Sequence, residues 1–167
     1  MSDRTVNILG VGNVLMGDDG VGPAAIAALE RRGLPAGIFA HDAGLAVSDG
    51  LGRLEPSHPL IVIDALRAGG RPGSVYRADI VDLRPTQATP GGQISLHEIS
   101  VLPALRIEAM IGRAFDDVTV FGVQPAGLQW GAPLSPMVAG IVQTLVQAVL
   151  KHAEMKLTSA KAGAETR

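Results

Sequence analysis

The stretch Val6-Asn-Ile-Leu-Gly-Val-Gly-Asn-Val-Leu-Met-Gly-Asp-Asp-Gly-Val-Gly22 reads as a strand, a glycine-rich turn and the start of a helix. Val6 to Val11 is a short apolar run with glycine beside it, as a buried strand requires. From Gly20 to Arg32, Val21, Ala25, Ile26, Ala28 and Leu29 recur at helical spacing, Pro23 suits the first turn and Gly33 the stop. A strand that passes into a helix through a tight turn opens an α/β unit, and the rest of the chain repeats the alternation.

Gly37 to His41 is a weak second strand, and Val47 to Leu54 a short helix. In Pro59-Leu-Ile-Val-Ile-Asp64 the run Leu60 to Ile63 is continuously apolar and mostly β-branched, the signature of a strand covered on both faces. Gly73-Ser-Val-Tyr-Arg77 is another strand, and Leu83 to Gln93, with Pro85, Pro90, Gly91 and Gly92, is a loop. Ser95 and Glu98 have capping-box spacing, so a helix is predicted from there to about Ile111, kinked or split at Pro103. Val118 to Val123 is a strand. Ser135-Pro136 is an N-cap followed by proline, opening a long amphipathic helix through Met137, Val138, Ile141, Val142, Leu145, Val146 and Val149. From His152 to Arg167 the chain is polar and predicted to fray.

This order predicts an α/β fold, a three-layer α/β/α sandwich with a mostly parallel twisted sheet of about five strands. One domain spans residues 1–155, with a disordered polar tail over 156–167. The third and fourth strands lie too close for a crossover helix, which predicts one antiparallel pairing.

Composition narrows the function. With 47% hydrophobic residues and only 3% aromatic, a core built from Val, Ile, Leu and Ala fits the 167-residue length. A net charge of -2 gives no electrostatic case for nucleic acid or an anionic membrane. Cysteine is absent, which removes disulfides, thiolate metal sites and a cysteine nucleophile. No secretory leader and no membrane-spanning run is read, so the expectation is a cytoplasmic protein. Without a sustained heptad or swapped arm, a monomer is expected.

Three side chains sit where one element hands over to the next: Asp19 after the first strand, Asp64 after the third, and His97 in Ser95-Leu-His-Glu98. At the carboxyl ends of parallel strands such residues can converge in the ligand crevice. Two carboxylates and an imidazole make a ligand set for a divalent transition metal. The first turn of a helix disfavours imidazolium and keeps His97 in its metal-binding form. Against this stand plainer roles. Asp18 sits near the helix N-terminus, Asn13 in a turn, and Asp64 beside Arg67 or capping the next helix. His41, His58 and His152 read as solvated surface residues, His41 least securely because it ends a strand. A dinucleotide site at Gly10 and Gly12 lacks its third glycine, since position 15 is Leu15, and Asp42 lies late for its acid. No G-x-S-x-G elbow is present. Two aspartates alone could form an aspartic-protease dyad, but the added histidine favours metal ligation.

The run Ile8 to Gly22 closely resembles the opening of the hydrogenase maturation endopeptidases. The similarity continues through Ile61-Val-Ile-Asp-Ala65, Ser95-Leu-His97, Gly122-Val-Gln-Pro125, Leu128-Gln-Trp-Gly131 and Leu134-Ser-Pro136. It covers residues 8 to about 150 in the family's order. The resemblance implies an α/β/α sandwich that removes the C-terminal extension of a nickel-iron hydrogenase large-subunit precursor after nickel insertion. It also implies that Asp19, Asp64 and His97 meet the nickel. That metal belongs to the precursor, and three ligands without a thiolate would hold it only weakly in the free enzyme. The family's Asp-Gly-Gly-Thr-x-Gly loop, linked to handling of the precursor, is here Asp42-Ala-Gly-Leu-Ala-Val47, matching only at Asp42 and Gly44. This departure motivates an alternative, a protein that checks nickel occupancy of its partner without cutting it.

Overall fold

A computed structural model of the chain describes residues 5–80 and 99–162. Its strands are β1 (Val6–Val11), β2 (Ile38–Gly44), β3 (Leu60–Ala65), β4 (Val75–Ile80) and β5 (Val118–Val123). Its helices are α1 (Val21–Arg32), α2 (Val47–Gly52), α3 (Leu102–Met110) and α4 (Pro136–Ala162), with a 3-10 turn over Gly17–Gly20. The strands form one sheet in the order β2-β1-β3-β5-β4. All pairings are parallel except β4 against β5. An α/β sandwich with a mostly parallel five-stranded sheet is thus the fold.

The layers follow from side-chain alternation. Ile61 and Ile63 of β3 face a core shared with α1 and α4, while Leu60 and Val62 face a second core under α2 and α3. Every residue of β1 and β5 is buried, as continuous apolar runs predict for strands covered on both faces. Helix α1 lies very close to the sheet. A Cβ at Gly22 would stand 2.2 Å from the Val11 carbonyl oxygen and 2.6 Å from that of Ile63. Glycine there is a packing requirement between α1 and β1/β3.

Three expectations need correction. The antiparallel pairing exists, but β4 pairs with β5 and leaves β3 to pair with β1 and β5. The segment after β3 is tied across the end of β5: Gly73 N–H donates to Gln124 O at 2.8 Å and Gln124 N–H to Ser74 O at 2.9 Å. Second, α3 starts at Leu102 with Pro103 in its first turn, so the proline opens the helix instead of kinking it. The Ser95/Glu98 start and the loop over 83–93 lie outside the described residues. Third, α4 continues to Ala162, past the expected fraying at His152. It is anchored because His152 and Ala153 are buried against the sheet. Residues 163–167 lie outside the described residues. Among the described residues no helix is long and apolar enough to cross a membrane.

Candidate active site

A cleft of about 400 Å3 opens at the carboxyl ends of β1 and β3. These strands flank the place where the connections diverge, outward to β2 on one side and toward β5 on the other, the usual ligand crevice of an open α/β sheet. Asp19 and Asp64 both line it, so these two of the expected residues come together. His97 lies outside the described residues. Among the described residues no group of three or more His, Asp or Glu side chains forms a metal cage.

Each carboxylate is placed by its own element. Gly12 has φ 135° and lets the turn fold back on itself, so closely that a Cβ there would stand 1.8 Å from the Asp19 carbonyl oxygen. The Asn13 N–H then donates to Asp19 Oδ2 at 2.7 Å. Asn13 is a turn residue as expected, accepting the Leu15 N–H on its own side chain at 2.9 Å. Asp64 is only 4% exposed at the end of β3. Among the described residues it neither caps a helix nor pairs with Arg67. Instead its Oδ2 accepts the hydroxyl of Ser100. Burial raises its pKa to about 6, the Ser100 hydrogen bond opposes the rise, and the Asp19 charge adds to it. A carboxyl titrating there can both give and take a proton near neutrality.

Asp18 does more than sit at a helix end. It is buried, and its carboxylate accepts the N–H groups of Ala126 at 2.8 Å and Gly127 at 3.2 Å on Oδ2. Ser135 donates its N–H to Oδ1 at 2.6 Å and its hydroxyl to Oδ2 at 2.9 Å. Burial works to raise this carboxyl, but the bonds from Ser135, Ala126 and Gly127 together hold it below the usual range. Asp18 thereby fixes the first loop against the segment after β5, which forms another wall of the cleft through Pro125 and Leu128.

Sequence reasoning passed over Ser100, Gln124 and the reach of Asp18. Gln124 carried a usable signal, a polar residue straight after an apolar strand, the same pattern that singles out Asp64. Its Oε1 accepts the Ala68 N–H at 2.9 Å. Ser100 and Asp18 carried none, because their partners are far away along the chain. His41 and His58 are only partly solvated, bonded to Asn7 Oδ1 at 3.1 Å and Thr5 Oγ1 at 2.8 Å. His152 is buried, contrary to the expected surface placement. Thr119 donates to Asp79 Oδ1, so His152 Nε2–H donates to Thr119 Oγ1 at 3.1 Å, and Nδ1 has no partner among the described residues. Asp42, which lies late for the acid of a dinucleotide site, accepts the Gly44 N–H on Oδ1 at 2.9 Å.

Comparison with known proteins sets this cleft in context. The family model of hydrogenase maturation proteases matches residues 23–152. The chain belongs to the hydrogenase maturation protease family. It is therefore an endopeptidase, a hydrolase of peptide bonds. The hydrogenase expression/formation protein HupD of Bradyrhizobium diazoefficiens is 32% identical over 138 residues, covering 81% of this chain and 71% of that protein. The hydrogenase 2 maturation protease of Escherichia coli is 29% identical over 145 residues, covering 86% and 87%. The hydrogenase maturating endopeptidase HybD from Escherichia coli superposes with a TM-score of 0.72 at 28% identity, covering 91% of this chain and 93% of that one. The family match includes Asp64 and the segment after β5 but begins beyond Asp19, so Asp19 stands on the cleft geometry.

Within the family frame, the departing loop acquires a position. Gly44 has φ 50°, its carbonyl accepts the Gly12 N–H at 3.0 Å, and Ala46 N–H donates to Ala43 O at 2.8 Å. The turn so held presents Leu45, 72% exposed, at the cleft. It places an aliphatic side chain in the wall of the cleft that Asp19 and Asp64 also line.

Proposed function

We propose that this protease removes the C-terminal extension of a nickel-iron hydrogenase large-subunit precursor in the cytoplasm, once nickel is in place. The observation that carries the reading is the pairing of Asp19 and Asp64 in one open cleft at the carboxyl ends of β1 and β3. Together with His97 they would offer two carboxylates and an imidazole to a metal that arrives seated in the substrate. A precursor without nickel lacks that anchor, so cleavage follows correct metal loading. A carboxylate oxygen of the pair that the metal does not engage serves as general base toward the attacking water.

The test is cleavage of nickel-loaded and nickel-free precursor by the wild type and by His97→Ala, read by mass spectrometry of the precursor's C-terminus. The expected result is loss of a terminal peptide only from the nickel-loaded form, slowed at least about tenfold by the substitution. Equal cutting of both forms, or an unaffected variant, overturns the nickel-sensing mechanism. An intact terminus under all conditions favours the alternative that the protein only checks its partner.

A further inference from the structure

Peptide hydrolysis needs a group that takes the negative charge developing on the scissile carbonyl oxygen, as well as a base. The cleft walls are mainly aliphatic, with Val11, Leu45, Val47 and Leu128 among them. Of the polar side chains lining it, Asp19 and Asp64 are acids, and the Ser100 hydroxyl is already donated to Asp64. That leaves Arg67. Among the described residues lining the cleft it bears the only cation and the only uncommitted side-chain donor. Its guanidinium has neither an ion pair nor a hydrogen bond among the described residues. The backbone on both sides of it is fastened to the end of β5: Leu66 N–H donates to Val123 O at 2.8 Å and Ala68 N–H to Gln124 Oε1 at 2.9 Å. A permanently charged planar donor on a held backbone, three residues beyond Asp64, suits charge stabilisation better than a loosely tethered lysine would.

We infer that Arg67 is a further catalytic residue, which binds the scissile carbonyl oxygen of the precursor and takes its charge in the tetrahedral intermediate. The inference rests on the peptidase reading above. Water gives one proton to the ionised carboxylate of the aspartate pair, and its oxygen bonds to the carbonyl carbon. The carbonyl π electrons move onto the oxygen beside Arg67. When they return, the carbon–nitrogen bond breaks, and the nitrogen leaves as an amine with the proton held by the carboxyl. The other product is the new C-terminal carboxylic acid, which ionises. On this account the nickel anchors the substrate and the guanidinium activates the bond.

The test is single-turnover cleavage of nickel-loaded precursor by wild type, Arg67→Met and Arg67→Lys, with the saturating rate and the half-saturating enzyme concentration measured separately. Arg67 is exposed, so both variants should melt with the wild type. The expected result is a fall of about 100-fold or more in the saturating rate for Arg67→Met, half-saturation within about threefold, and at least about tenfold recovery in Arg67→Lys. An Arg67→Met rate within about threefold of wild type overturns the inference. So does weaker half-saturation at an unchanged rate, which would make Arg67 a mere anchor. Wild type that cuts while indifferent to Arg67 removes this inference alone. Wild type that never cuts removes the peptidase reading and this inference with it.

Discussion

Asp64 holds its proton more tightly in the fold than in the unfolded chain, because burial and the Asp19 charge outweigh the Ser100 hydrogen bond. A group so raised stabilises fully below its unfolded value of 3.8, and that contribution is lost as pH climbs through about 6. The shift is worth up to about 3 kcal/mol, at 1.4 kcal/mol per unit. Asp64→Asn is therefore expected to be more stable than wild type by about 2 kcal/mol at pH 7.5 and equal to it near pH 3.5, while losing cleavage. Urea denaturation at the two pH values checks this, and equal stabilities at pH 7.5 would refute it. Asp18 has the opposite sign. Its lowered value supplies stability above 3.8 that disappears on acidification. Two adjacent acids thus divide the labour, Asp18 tying loops together and Asp19 facing the cleft. Their position after a strand could be read from the sequence. That Asp19 faces the cleft could be read too, but what Asp18 ties down could not, because its partners lie 108 to 117 residues away.

At the scale of elements, β1, β3, β5, α1 and α4 were readable because each is a long apolar pattern of one period. The pairing of β4 was not, since its partner follows it by some forty residues and is chosen by the crossing segment that Gln124 fastens. Helix α3 begins at Leu102 because Pro103 suits a first turn, while the expected start at Ser95 lies outside the described residues. Helix α2 is held by a contact no local pattern announces. Arg113 pairs with the buried Glu108 at 2.7 Å and donates to the carbonyls of Leu51 at 3.2 Å and Leu54 at 2.8 Å, at the end of α2. Arg113→Met strands a buried carboxylate and should cost about 3 kcal/mol. Adding Glu108→Leu should recover most of that loss in chemical denaturation, and a double variant as weak as the single one would contradict this account.

Across the whole molecule, the interior strands β1, β3 and β5 bond to neighbours on both edges, whereas β2 and β4 end the sheet among the described residues. Amide hydrogen exchange should accordingly be slowest in the three interior strands and faster in β2 and β4. Protection in β2 or β4 equal to that in β3 would mean that another segment covers that edge. The cleft thus rests on interior strands of the sheet, while the Leu45 turn follows the edge strand β2. One dimension has a practical use. Helix α4 begins beside Asp18 at the cleft end and runs 27 residues to Ala162, about 40 Å at 1.5 Å per residue. That is roughly twice the length of the six-residue strands beneath it. An affinity handle or surface tether joined at the Ala162 end of this rod would stand away from the cleft, so immobilised enzyme should still admit a bulky folded protein at the opposite pole.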